Sequence, residues 1–189
     1  IDSILLWVKS KEIAIPEIQR PFVWELSKVR DLIDSLYKGY PIGFLITWKD
    51  QKIKLKKGGS PEGKRILIDG QQRVGALMTS ILGELIVDEN YRKKKIQIAF
   101  HPIEERFDVV SAAIEKDKSW IADIGLVIQN KTSIRKIGDE YIKNNPAADI
   151  DQIDTALHRL MRIKDRQLGV IELKRNLSID VVTEIFVRA

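Results

Sequence analysis

At Gly70 the hydrophobic period of this chain changes. Before it, Arg65-Ile66-Leu67-Ile68-Asp69 is a short branched apolar run, the pattern of a buried strand. After it, Val74, Leu77, Met78, Ile81, Leu82 and Leu85 recur at helical spacing and form one continuous stripe. A strand that passes directly into an amphipathic helix must bury both apolar faces against a second layer, so the chain is predicted to build a sheet with helices packed on it.

Ile1, Ile4, Leu5 and Val8 mark a first helix, followed by an extended piece at Ile13-Ala14-Ile15-Pro16. Ser27 is read as the N-cap of a helix that carries Val29, Leu32, Ile33, Leu36 and Tyr37 on one face and is closed by Gly39. Gly43 to Trp48 reads as a strand, with Arg65 to Asp69 as its hairpin partner. Between them lie an alternating stretch, Lys52 to Lys56, and a turn, Gly58-Gly59-Ser60-Pro61-Glu62-Gly63. Ile96 to Phe100 and Arg106 to Val110 are predicted to pair. Helices follow from Thr132 or Ser133 to before Pro146 and over Ile150 to Met161, then a strand at Leu168 to Leu173 and a last helix capped by Ser178. Strands and helices mix without regular alternation, which predicts an α+β fold. The compositional seam near Lys131 divides it into a core at 1–130 and a helical extension at 131–189.

With 189 residues, 44% of them apolar, the chain can bury one sizeable core. Having no cysteine, it has no disulfide, thiolate nucleophile, iron–sulfur cluster or cysteine zinc site, which fits a reducing cytoplasmic setting. The longest apolar stretches, such as Ile42 to Trp48, fall far short of the roughly 20 residues of a membrane span, and no signal peptide is visible. The opening at Ile1 and the stop at Ala189 within a helix are read as marks of a longer protein.

The net charge is +5, and the segment from Lys49 to Arg65 holds seven basic residues against two acidic ones. Lys52, Lys54, Lys56, Lys57 and Lys64 are therefore candidate DNA-phosphate contacts, against the alternative of a solvated hairpin face. A second run, Arg92-Lys93-Lys94-Lys95, lies between two structured stretches.

The junction itself, Asp69-Gly70-Gln71-Gln72-Arg73, is the most informative chemistry. A helix start presents unpaired N–H groups, Gly70 permits close approach, and Arg73 adds a planar charged fork suited to phosphate. The alternative is that Asp69 caps the helix while Gln71, Gln72 and Arg73 sit in solvent. A second cluster, Ile15 to Trp24, sets Gln19 and Arg20 between prolines that hold the segment extended. Arg20 is read either as a ligand contact or as the partner of a local acid.

These residues, with Gly39-Tyr40-Pro41-Ile42-Gly43 and Thr183 to Arg188, resemble the N-terminal domain of GmrSD-type, modification-dependent restriction systems. Those are ParB/sulfiredoxin-like domains marked by the aspartate-glycine-glutamine-glutamine-arginine motif. The resemblance implies a ParB/sulfiredoxin-like small mixed sheet flanked by helices. It also implies a regulatory domain that binds and hydrolyses an NTP, with Mg2+ as counter-charge, while a C-terminal nuclease domain or nuclease partner subunit cuts DNA. DNA, that nuclease and a second copy of the chain are the partners to be expected.

Carried over residue by residue, Gly70, Gln71, Gln72 and Arg73 become nucleotide contacts, Gln19 and Arg20 supporting ones. Asp69, Gln72 and Arg73 become the catalytic set, with Asp69 as a metal-water or base-orienting carboxylate. Two departures stand out. Val74-Gly75-Ala76 replaces the usual leucine and two threonines, and the chain stops where the family supplies an Asn- and Gly-containing turn. The alternatives are a non-enzymatic DNA-binding or protein-interaction module, and a domain that nicks DNA itself through Asp69 and a metal.

Other chemistry lacks support. There is no Walker loop. His101 and His158 have no metal-ligand spacing and are read as a core-edge residue and a polar helix-face residue. Glu104-Glu105 and Asp149/Asp151 are assigned to helix termini and solvation. The tryptophans Trp7, Trp24, Trp48 and Trp120 are assigned mainly to the core.

Overall fold

The computed structural model describes residues 1–15, 21–49, 65–174 and 176–188. In chain order its elements are α1 (Asp2–Lys9), β1 (Ile13–Ala14), α2 (Leu26–Lys38), β2 (Phe44–Trp48), β3 (Arg65–Asp69) and α3 (Gln71–Leu77), the last running into a π-helical turn at Met78–Leu82. Then come β4 (Ile86–Val87), β5 (Lys93–Lys94), β6 (Ile98–His101), β7 (Arg106–Val109), α4 (Ala112–Lys116), α5 (Ile124–Ile128), α6 (Ile134–Asn144), α7 (Ile150–Met161), β8 (Gly169–Leu173) and α8 (Ile179–Arg188). Among the described residues the fold is α+β, with one small mixed sheet, two antiparallel two-stranded sheets and a helix-rich C-terminal part.

Four strands form the main sheet in the order β1-β3-β2-β8. The expected pairing of β2 with β3 is present and antiparallel, β1 lies parallel to β3, and β8 lies parallel to β2 from Phe44 opposite Gly169 to Trp48 opposite Leu173. Leu45 and Leu67 join Ile4, Ile13 and Val74 in a compact apolar layer where β2 and β3 meet α1 and α3. The expected hairpin of β6 and β7 runs from Ile98 opposite Val109 to His101 opposite Arg106.

The larger core takes Val29, Ile33 and Leu36 from α2, Phe100 from β6, Ile124 from α5 and Ile153, Leu157 and Leu160 from α7. It draws on both sides of Lys131. Each aliphatic side chain removed from water contributes roughly 1.5–3 kcal/mol, and the spacing of Val29, Leu32, Ile33, Leu36 and Tyr37 puts all five on the buried face of α2. Gly39, at φ 79°, ends that helix, with its N–H donating to Leu36 O and that of Tyr40 to Ser35 O.

Two expectations are corrected. Ser27 is not the cap of α2: the helix begins at Leu26, and the extended residue before it is Glu25. Nor does the stripe after Gly70 continue as one α-helix to Leu85. It widens at Met78–Leu82, stops at Gly83 with φ 74°, and leaves Leu85 60% exposed. The wide turn inserts an extra residue and rotates the stripe away from its 3.6 count. Tertiary bonds hold it there: Ile96 N donates to Thr79 Oγ1 at 2.9 Å, and the Gln129 carboxamide donates to Ile81 O.

The ribbon β4–β5 and the short helices α4 and α5 add to the predicted elements; Lys93 and Lys94 of the second basic run form β5. The stretch from Lys52 to Lys56 and the turn at Gly58 to Gly63 lie outside the described residues. Among the described residues no helix is long and apolar enough to cross a membrane.

Candidate functional site

Gly70 makes the strand-to-helix junction possible on two counts. Its φ of 96° is left-handed, and a Cβ there would be driven into Leu45 Cδ2. Gly70 takes the N-cap position of α3, so the Asp69 carboxylate is not used as a cap. It accepts instead from Arg73 Nη2 at 3.1 Å, one turn along.

Among the described residues Arg73 has three partners in two segments. Besides Asp69, its Nη1 donates to Ile42 O at 3.0 Å and to Phe44 O at 2.8 Å. The guanidinium passes over Gly43, where a Cβ would sit 2.7 Å from Nη1 and where φ is 86°. Only glycine satisfies both the turn and the approach of the charge.

Gln72 does the same for the second cluster. Its Oε1 accepts from Val23 N at 2.9 Å and from Trp24 N at 3.3 Å, and its Nε2 donates to Pro21 O at 3.2 Å. One carboxamide thus satisfies backbone groups of an extended segment much as a neighbouring strand would. It draws together two clusters separated by 49 residues in sequence. Between them Phe22 packs its ring on Gly75, where a Cβ would sit 3.1 Å away, and donates its N–H to Val87 O at 2.8 Å. The departure at Val74-Gly75-Ala76 therefore has a packing use: no hydroxyl follows Arg73, but Gly75 makes room for Phe22.

Gln71 is the least engaged residue of the motif, with one long contact of 3.4 Å from Nε2 to Leu67 O. Asp69 and Arg73 keep 35% and 18% of their side-chain surface exposed. Arg73 Nε–H and one Nη2–H enter no hydrogen bond among the described residues. The pair can thus be reached from solvent, though most of its bonding capacity serves the fold.

Gln19, Arg20, Lys52, Lys54, Lys56, Lys57 and Lys64 lie outside the described residues. His101 is buried at the end of β6, where Nδ1 accepts from Glu104 N at 3.2 Å and the ring meets Trp120 edge-on, as a core-edge residue should. His158 sits on an exposed helix face beside Asp154. Trp48 is buried, while Trp7, Trp24 and Trp120 are half-buried. Asp149 caps α7, accepting from Asp151 N and Gln152 N.

Glu105 departs from the solvated reading. It accepts from Tyr37 Oη at 2.7 Å and from Arg159 Nη1 at 2.6 Å. Burial, then the bond to Glu105, pushes the Tyr37 hydroxyl far above its usual range. This network lines an open cleft of about 720 Å³ with Tyr40, Glu104 and Arg106. A second cleft of about 750 Å³ lies between the start of α1 and residues 164–170. Neither contains residues 69–73. Among the described residues no group of three or more His, Cys, Asp or Glu could hold a metal.

Sequence reasoning missed the parts of this arrangement that are backbone. Gly43 and the carbonyls of Ile42 and Phe44 had no assigned role, and the signal that could have found them was the Gly39 to Gly43 motif, whose second glycine has no helix to end.

No curated protein matches the chain. Residues 4–189 match the family described as GmrSD restriction endonuclease, N-terminal domain. A chain that carries this match over nearly its whole length, and in which the Asp69 to Arg73 motif ties together the other segments of the resemblance near residues 22 and 43, belongs to that family of restriction-endonuclease domains.

Proposed function

We propose that this domain binds a nucleoside triphosphate at the surface shared by residues 21–24, 42–44 and 69–73, and that binding and hydrolysis regulate a DNA-cutting nuclease carried elsewhere in the polypeptide or by a partner subunit. The observation that carries the reading is the Asp69–Arg73 pair, still reachable by solvent at the point where Gln72 gathers the second cluster. A phosphate would compete with Asp69 for Arg73 Nη2, since both are anions suited to a guanidinium. Gln71 has capacity to donate to phosphate oxygens. Asp69, released from Arg73, would then orient a water. Mg2+ would arrive with the triphosphate, which usually supplies much of its coordination beside one or two carboxylates and water. Gly70, Gln72, Gly43 and Phe22 act as positioning residues.

The test is calorimetric titration of ATP and GTP with Mg2+ against the unmodified chain, Gln71→Ala and Arg73→Ala, with melting temperature as the fold control. The expected result is binding that weakens at least tenfold in both variants while Gln71→Ala melts as the unmodified chain does. Unchanged binding in both would remove the nucleotide role.

A second reading is favoured by the three intramolecular partners of Arg73 and of Gln72. In it the motif only shapes the fold, and the domain binds DNA through Lys52, Lys54, Lys56, Lys57 and Lys64 without turnover. It calls for salt-sensitive DNA binding and no phosphate release at any DNA concentration.

A further inference from the structure

We infer that the β4–β5 ribbon is a duplex-DNA contact, with Arg92, Lys93 and Lys94 on phosphates and Tyr91 at its tip directed to the groove. The inference rests on the reading that DNA is a partner of this domain, and adds a surface that the basic segment from Lys49 to Arg65 does not include.

Asp88 organises the tip. Its Oδ1 accepts from Asn90 N and Arg92 N, each at 2.9 Å, its N–H donates to Arg92 O at 3.0 Å, and its carbonyl accepts from Tyr91 N at 2.9 Å. The bonds from Arg92 N and Asn90 N lower the carboxylate below its usual range and use it inside the turn, which leaves Glu89 as the other acid of the ribbon. They also fix Tyr91 at φ 57° with 84% of its surface exposed. A bulky residue at positive φ is costly, and here the cost is not offset by burying the ring.

The cations follow directly. Arg92 and Lys93 are exposed and Lys94 is half-buried, and none of the three enters an ion pair among the described residues, whereas Lys95 is 3.3 Å from Asp123. The ribbon is also anchored to the body: Phe22 N donates to Val87 O, and Phe22 pairs in parallel with Asp88. The basic tip is therefore attached to the segment that Gln72 clamps.

A two-stranded ribbon is of a size to enter the major groove, which is about 12 Å wide. Cationic side chains that enter no ion pair among the described residues are available to phosphates, and each phosphate neutralised releases counterions. An exposed tyrosine at the tip offers an apolar plane and a hydroxyl to base edges.

The test is anisotropy of a fluorescein-labelled duplex titrated with the 189-residue chain at several salt concentrations. Lys93→Ala/Lys94→Ala should reduce the slope of log K against log salt by about 1–2 and weaken binding roughly tenfold or more near 0.1 M salt. Tyr91→Ala should weaken binding about fivefold, on the order of one lost aromatic contact, with the slope unchanged. Lys93→Gln/Lys94→Gln repeats the charge loss with longer side chains, and melting temperatures report the fold. Wild-type affinity and slope in all three variants, with binding lost in Lys54→Ala/Lys56→Ala/Lys57→Ala, would overturn the inference and leave DNA as a partner. Absence of binding by the unmodified chain would overturn both, leaving nucleotide binding to its own titration.

Discussion

The guanidinium of Arg73 lies over Gly43, with Nη1 2.7 Å from the point where a Cβ would stand, and bonds the carbonyls on either side of it. A glycine in the loop before β2 and an arginine in α3 therefore form one unit. Gly43→Ala should combine left-handed strain with displacement of the charge and cost about 2–4 kcal/mol. Because both changes act on the same contacts, Gly43→Ala and Arg73→Lys should be strongly non-additive in a double-mutant cycle read by urea unfolding. Additive losses would show that the approach carries no energy.

Gln72 replaces a missing strand for residues 21–24. Gln72→Ala leaves two N–H groups and one carbonyl without their partner, a loss of about 1–3 kcal/mol. Hydrogen exchange should accelerate at Val23 and Trp24 before the rest of the sheet responds. Unaltered protection at those two amides would contradict the clamp.

Gly70→Ala should be the most damaging single change in the motif. The added methyl meets Leu45, which is fully buried, at a φ that L-residues rarely adopt. A loss of roughly 3–5 kcal/mol is expected, enough to deplete folded protein. Gly70→Ala/Leu45→Ala should recover part of it, since it removes the collision and leaves only the strain. A soluble Gly70→Ala protein with an unshifted melting temperature would be inconsistent with this packing.

Tyr37 gives the stability of the fold an alkaline edge. Its folded pKa is raised by burial and by Glu105, and an unfolded tyrosine ionises near pH 10. The native state therefore favours the proton-bound hydroxyl. The corresponding stability is fully present below about pH 10 and declines as pH rises above it. Tyr37→Phe should flatten the fall in urea midpoint between pH 9 and 11; Tyr141, also raised by burial, keeps part of it. An identical pH profile for variant and parent would rule out Tyr37 as the source.

The order of elements was legible in the residues because apolar spacing and glycine placement are local. The stripe of α2, its end at Gly39, the strands β2 and β3, the hairpin β6–β7 and the helices α6, α7 and α8 follow from periods of 3.6 and two and from turn chemistry. The motif at Asp69 to Arg73 was also visible, as a strand-to-helix junction with unusual polar density. Its partners were not. Whether Gln72 faces water or the backbone of Val23, and why position 43 must be glycine, depend on contacts between segments tens of residues apart. The wide turn at Met78–Leu82 belongs to the same class, since bonds from Ile96 N to Thr79 Oγ1 and from the Gln129 carboxamide to Ile81 O hold it against the regular helix that the apolar spacing favours. Local patterns thus set which elements this protein has, and hydrogen bonds between distant backbone groups and the side chains of Gln72 and Arg73 decide how they close around the motif.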